Sequence, residues 1–291
     1  MASEKMDVDA DKAAKSDYDY DLIVIGGGSG GISCAKEAAS TGAKVALFDY
    51  VKPTPHGTKW GLGGTCVNVG CIPKKMMHYS GLLGESMHDA HMLGWDVPES
   101  HKEAKFSWEK MIETVNNYVR SLNWGYSVQL REAGIKYYKA YAKFVDPHTV
   151  EFELKKQTQK VTGKYILLAM GGRPRVPSNV EGNELAITSD DIFWKKTPPG
   201  KTLCVGASYI SLETAGFLHA MGYDVTVAVR SILLRGFDTE CANFVGDYMK
   251  EVGVKFKTGV VPTKLEKLDD GKIRVHFKPS KDDEEQKADA K

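Results

Sequence analysis

The apolar run Tyr20-Asp21-Leu22-Ile23-Val24-Ile25 leads directly into Gly26-Gly27-Gly28-Ser29-Gly30-Gly31, and that junction limits what the chain can become. The run is rich in β-branched residues and reads as a buried strand. A helical stretch through Ala35, Ala38 and Ala39 follows and ends near Gly42, and Val45–Asp49 reads as a second strand. Gly26, Gly28 and Gly31 keep a G-x-G-x-x-G spacing between strand and helix. The first glycine permits the tight turn, the second lets backbone approach a pyrophosphate, and the third lets helix and strand pack closely. With Ser29 and Gly30 they open a helix whose N-terminus faces phosphate. Asp49, closing the second strand, is placed to accept from a ribose hydroxyl. The full strand–loop–helix–strand–acid order predicts dinucleotide binding rather than a structural turn.

A weaker copy begins at Thr202-Leu203-Cys204-Val205, with the loop Gly206-Ala207-Ser208, a helix to about Met221 and a strand over Asp224–Val229. Here Ser208 and Ser211 replace the second and third glycines. Their Cβ atoms hold backbone away from phosphate, although a hydroxyl can donate to it. Arg230 and Arg235, rather than an acid, follow the second strand. Arginine forks suit a 2′-phosphate, so this copy predicts NADPH, whereas Asp49 suits the adenosine half of FAD. The fold class expected is α/β, with two Rossmann-like, three-layer nucleotide-binding domains, the second incomplete. Gly171-Gly172-Arg173-Pro174 marks the boundary. The expected division is a disordered leader over 1–17, an FAD-binding domain over 18–173, an NADPH-binding domain over 174–278 and a disordered charged tail over 279–291.

Between the copies stands Gly63-Gly64-Thr65-Cys66-Val67-Asn68-Val69-Gly70-Cys71-Ile72-Pro73-Lys74-Lys75. Cys66 and Cys71 sit at a spacing that lets the first turn of a helix bring both sulfurs together as a disulfide able to open and reclose. A helix N-terminus and nearby lysines favour thiolate. Pro73 is tolerated there because first-turn N–H groups have no intrahelical partner. No second Cys or His pair at ligand spacing accompanies them, so no metal site is expected. Cys34, Cys204 and Cys241 read as buried small hydrophobes.

Further along, apolar residues recur at helical spacing from Ser107 to about Glu132. Strands are expected over Lys136–Phe144, Val150–Leu154, Lys164–Ala169, Lys255–Val261 and Lys272–Phe277. Lys plus Arg number 39 against 38 Asp plus Glu, which gives no electrostatic footprint for nucleic acid or membrane. No apolar run reaches the roughly 18 residues of a membrane span. The leader mixes lysines with acids and fits neither a signal nor a transit peptide. An odd cysteine count with one close pair suits a reducing compartment, and the cytosol is expected.

The redox run resembles that of the flavin-dependent pyridine nucleotide–disulfide oxidoreductases. The stretch Phe48 to Gly61 and the run Val229 to Asp238 are similar to the large, animal-type thioredoxin reductases. That resemblance covers about Tyr18 to Phe277. It implies NADPH-dependent reduction of thioredoxin or a similar disulfide protein, with electrons passing from nicotinamide to FAD to Cys66–Cys71. Cys71 is implied to lie against the flavin and Cys66 to be the exposed interchange thiol. Gly64 and Thr65 are implied FAD contacts, Ala142 meets adenine through its backbone, and one of Lys74 and Lys75 pairs with Glu213 near the flavin. Gly206, Ala207, Ser208, Tyr209, Arg230, Ser231 and Arg235 are implied to hold NADPH, with Tyr209 shielding the flavin.

The chain also departs from the family. None of its eight histidines lies in the His-Pro-Thr and Glu context of the dimerisation domain, and the C-terminal redox pair is absent. The family is a homodimer, so the expectation is a fragment or short form encoding the flavin-to-disulfide half-reaction. A non-catalytic short form, glutathione reductase and thioredoxin–glutathione reductase are the alternatives.

Overall fold

The computed structural model describes residues 17–100 and 103–280; the expected leader, apart from Asp17, and the tail beyond Ser280 lie outside them. In chain order the elements are β1 (Tyr20–Ile25), α1 (Ser29–Ser40), β2 (Val45–Phe48), α2 (Gly64–Val69), α3 (Cys71–Met92), α4 (Trp108–Glu132), β3 (Lys136–Tyr138), β4 (Ala142–Phe144), β5 (Thr149–Leu154), β6 (Gln157–Leu168), α5 (Ser189–Ile192), β7 (Thr202–Val205), α6 (Tyr209–Ala220), β8 (Val225–Val229), α7 (Thr239–Glu251), β9 (Lys255–Thr258), β10 (Val260–Lys267) and β11 (Ile273–Pro279). They form two compact units. The first holds the described residues up to Tyr50 together with Gly125–Gly171, and the second holds Val51–Trp124 with the described residues from Gly172 onward. The sequence places 51–124 with the first nucleotide loop; in the structure this segment packs with the second.

The first unit is built on a six-stranded sheet in the order β3-β2-β1-β6-β5-β4. Strands β3, β2, β1 and β6 run parallel, while β5 and β4 continue antiparallel. All four residues of β2 are buried, as a parallel strand covered on both faces requires. Phe48 stacks on Tyr138 at 4.6 Å and meets Phe152 edge-on at 4.9 Å, closing a core that also holds Ile23, Ala46, Ala140 and Val150. Two expectations change here. Lys136–Phe144 is two strands, not one, because the chain leaves β3 parallel to β2 and re-enters as β4 against β5. Strand β6 starts at Gln157 rather than at Lys164, because Leu154 pairs with Gln157 across a two-residue turn. That turn places Lys155 (φ 52°) and Lys156 (φ 63°) both in the left-handed region.

In the second unit β7, β8 and β9 form a parallel sheet, with α6 and α7 as the crossovers. Helix α6 is apolar enough to bury Leu212, Ala215, Phe217, Leu218 and Ala220. They join Met77 of α3, Trp108 of α4 and Val227 of β8 in one core. Helices α3 and α6 cross closely: a Cβ on Gly81 would lie 2.7 Å from that of Ala220. Strands β10 and β11 form an antiparallel hairpin. The expected strand Lys255–Val261 is broken at Gly259 (φ 69°) into β9 and β10, which belong to different sheets. Two residues of the expected disordered tail over 279–291 are ordered into the fold: Pro279 pairs with Val260, and Ser280 is buried. Of the three remaining cysteines only Cys204 is buried; Cys34 is half-buried and Cys241 is exposed. No helix among the described residues is long and apolar enough to cross a membrane.

Candidate active site

Parallel pairing of β1 with β2 sets Ile25 beside Phe48, so the residues that follow, Gly26 and Asp49, leave the sheet at the same edge. Gly26 adopts φ 117° and donates its N–H to Phe48 O at 2.8 Å. A Cβ on Gly26 would sit 2.2 Å from Ala169 O, and one on Gly31 would sit 1.8 Å from Gly26 O, so neither position admits a side chain without backbone movement. Gly30 is open by the same test. Gly28 caps α1 without a side-chain hydrogen bond, and Ser29 and Gly30 are exposed at its first turn. Asp49 Oδ1 accepts from Gly27 N–H at 3.0 Å. Burial pushes its carboxyl above the usual range, opposed by N–H donors from Gly27 and Tyr50 and by Lys139. These features fit a bound pyrophosphate and ribose. Ala142 begins β4, at the far edge of this sheet, opposite Phe152.

The second loop repeats the first in its backbone despite the serines. Gly206 has φ 111° and donates to Ala228 O at 3.0 Å. Ser208 caps α6 at φ −79°, ψ 169°, against −89° and −171° for Gly28. Leu212 N–H then donates to Ser208 O, as Ile32 N–H does to Gly28 O. Gly206, Ala207, Ser208, Arg230, Ser231 and Arg235 all line one cavity of about 540 Å³, within the range of small-ligand sites. The arginine segment is folded onto the loop: Leu234 N–H donates to Ala207 O at 2.8 Å, and Arg235 Nη2 donates to Ser231 Oγ at 2.7 Å. Ser211 stands where Gly31 does in the first loop, and its buried hydroxyl makes no hydrogen bond among the described residues. Tyr209 lies outside the cavity lining and is 53% exposed at the start of α6.

Cys66 and Cys71 straddle a break between two helices instead of sharing one first turn. Cys66 lies within α2, and Cys71 is the first residue of α3, with Gly70 between the helices. Only glycine fits there, since a Cβ would meet Thr65 O at 2.9 Å and Cys66 Cα at 3.2 Å. Both cysteines are thiols, Cys66 half-buried and Cys71 exposed. Burial is the main cause raising the Cys66 pKa, and its thiol hydrogen bond to Cys71 and the charge there add to it. The Cys71 N–H and Lys74 pull the other way and do not win. The thiolate preference expected from helix and lysines therefore fails for Cys66 in the dithiol.

The turn that launches α2 uses Gly63 (φ 119°) and Gly64 (φ 73°) and is held by a side chain the sequence reading passed over. Asn68 is fully buried; its Nδ2 donates to Gly64 O at 2.8 Å, and its Oδ1 accepts from Asn123 Nδ2 at 2.9 Å. A polar residue between Val67 and Val69 on a buried helix face was the available signal. Lys74 Nζ meets Glu213 Oε1 at 2.6 Å, which settles which lysine takes that partner; Lys75 is exposed. Thr65 is also exposed. The stretch preceding the cysteines is anchored by acids that were likewise not anticipated. Thr54 and Thr58 hydroxyls donate to Asp191 Oδ1 at 2.6 and 2.7 Å. Arg173 pairs with buried Asp190 at 3.0 Å and lies over Trp60 at 4.5 Å.

A strand–glycine loop–helix unit in each half, on parallel strands, is a Rossmann-like α/β nucleotide-binding architecture. Residues 20–291 match the family described as pyridine nucleotide-disulphide oxidoreductase, and the chain belongs to that family. A thioredoxin reductase of Plasmodium falciparum (isolate FCH-5) is 55% identical over 282 residues, covering 95% of this chain and 51% of that protein. One from Emiliania huxleyi is 54% identical, covering 91% and 53%. A mitochondrial thioredoxin reductase 2 of Drosophila melanogaster is 48% identical, covering 91% and 52%. The chain spans about half the length of the curated relatives it matches.

Proposed function

We propose that this chain carries the NADPH-to-disulfide half-reaction of a thioredoxin reductase. Gly26, Gly28, Ser29, Gly30, Gly31 and Asp49 are assigned to the pyrophosphate and ribose of FAD, with Ala142 at its adenine and Gly64, Thr65 and Lys74 as further contacts. Gly206, Ala207, Ser208, Tyr209, Arg230, Ser231 and Arg235 are assigned to NADPH. Residues 18–173 and 174–278 are the stretches of sequence assigned to the two cofactors, with 51–124 of the first packed with the second unit. FAD supplies the conversion of a nicotinamide hydride into an electron pair that sulfur can accept.

The observation that carries the reading is the pair of thiols set on either side of the α2–α3 break, Cys66 within α2 and Cys71 opening α3, with the Lys74–Glu213 pair one turn further on. Its chemistry balances: NADPH, one proton and the Cys66–Cys71 disulfide give NADP⁺ and two thiols. Burial raises the Cys66 pKa, so that sulfur holds its proton to higher pH than an ordinary thiol. Glu213 holds Lys74 in place, and Lys74 is the lysine we assign to the flavin. In the whole protein the partner is thioredoxin or a similar disulfide protein, the assembly is a homodimer and the compartment is the cytosol. Thioredoxin's potential near about −270 mV calls for a donor as reducing as NADPH.

The test is anaerobic titration of the FAD-loaded chain with NADPH. Bleaching of the flavin band with two new titratable thiols per chain is expected; C66S/C71S retains the bleaching and gains none. The first equivalent of NADPH is expected to yield the two thiols with the flavin returned to its oxidised form, and the second to bleach it; absence of new thiols in the unsubstituted chain overturns the proposal.

A further inference from the structure

The charged side chains lining the second unit's cavity are all cations: Arg230 and Arg235 after β8, and Lys278 on β11. No carboxylate lines it among the described residues. We infer that Lys278 is a third phosphate-reading cation of this site, delivered by the β10–β11 hairpin rather than by the nucleotide loop. The inference rests on the cavity being the NADPH site and adds a residue that selects the 2′-phosphate.

Three observations place Lys278 there. Register sets it opposite Val261, itself a lining residue. The strand end is tied to the arginine segment two residues further on. Ser280, 2% exposed, donates its N–H to Gly259 O at 2.9 Å and its hydroxyl to Arg230 O at 2.6 Å. The third observation is charge pairing. On the same hairpin Lys264 meets Glu181, Lys272 meets Asp270 and Arg274 meets Glu266. Lys278 has no such carboxylate and no hydrogen bond to its ammonium among the described residues. A phosphate would supply the counter-charge that the Lys278 ammonium lacks among the described residues, since a phosphate monoester carries close to two negative charges near neutral pH. Arginine forks grip phosphate by geometry; a lysine adds a point charge that follows the phosphate's position.

Because only the phosphorylated nucleotide presents that group, the effect must separate the two nucleotides. Isothermal titration of the full chain with NADP⁺ and with NAD⁺ gives the test, using the unsubstituted protein, K278Q and K278R. K278Q is expected to weaken NADP⁺ about tenfold, the scale of one charge-assisted hydrogen bond, and NAD⁺ by less than about twofold. K278R is expected to recover most of the loss. Equal weakening of both nucleotides, or an NADP⁺ affinity unchanged in K278Q, overturns the inference. If the unsubstituted chain binds NADP⁺ no more tightly than NAD⁺, the assignment of the cavity to NADPH fails first, and this inference fails with it.

Discussion

Gly30 and Gly31 adjoin in sequence and differ completely in what surrounds them. Gly31→Ala drives a methyl group to 1.8 Å from Gly26 O, a backbone atom that moves only by opening the turn at φ 117°. Overpacking of this kind costs about 1–3 kcal/mol, seen as a lowered midpoint in denaturant unfolding. Gly30→Ala meets nothing within 4 Å and replaces a flexible residue inside α1, so stability rises by about 0.4–1 kcal/mol. Equal destabilisation by both changes would remove the steric account. The thiols make a second contrast at this scale. Cys66 has its pKa raised first by burial and then by Cys71, so its thiolate, the form that reacts with iodoacetamide, accumulates at a higher pH than an ordinary thiol. Cys71→Ala removes the hydrogen-bond acceptor and the adjoining charge. The alkylation profile of Cys66 is therefore expected to move to lower pH in that variant. A profile that stays put or moves up would assign the whole shift to burial.

Among the elements, the paired loops were legible because each part of them obeys a local rule: apolar run, glycine with positive φ, helix, apolar run. The legibility ended where long-range pairing decides. Lys155 and Lys156 form a two-residue hairpin turn that ordinarily advertises itself as Asn-Gly or Asp-Gly, so nothing local announced the early start of β6. The break at Gly259 was hidden for a related reason, since β9 and β10 look continuous until the sheets they join are known. Helix α7 had a clear signal in Asp238, whose carboxylate accepts from Cys241 N–H at 2.9 Å, and the reading did not use it. The redox motif was found as residue types, but its support was not: Asn68 is marked only by its place between two valines, and it and Asn123 become a shared amide bridge only when α2 and α4 are side by side. Asn68→Ala strips the donor from Gly64 O and the acceptor from Asn123 Nδ2. The cost is expected at about 1–3 kcal/mol in chemical denaturation. The Cys66–Cys71 dithiol is also expected to equilibrate with glutathione at a shifted potential, because the turn carrying Cys66 loosens. An unfolding loss with an unchanged potential would leave Asn68 a packing residue only.

For the whole molecule, the division into two units runs across the chain order, with Val51–Trp124 inserted in sequence between the two segments of the first unit and packed with the second. A sequence read from left to right assigns that insertion to its neighbours; the buried cluster that joins Met77 and Trp108 to Phe217 assigns it elsewhere. The consequence is measurable. Every residue lining the 540 Å³ cavity belongs to the second unit. A nucleotide bound there stabilises that unit by mass action, about 2.7 kcal/mol at a hundred times the dissociation constant. Hydrogen exchange is the readout that resolves it by residue. With NADP⁺ added, amides of β7, β8 and β9, and those of α3 and α4 whose side chains share the core with α6, are expected to slow together. Amides of β1, β2 and β6 should keep their rates, because no lining residue comes from that sheet. Slowing spread evenly over both sheets would show that the units unfold as one, and slowing confined to β1 and β2 would place the nucleotide at the first loop instead.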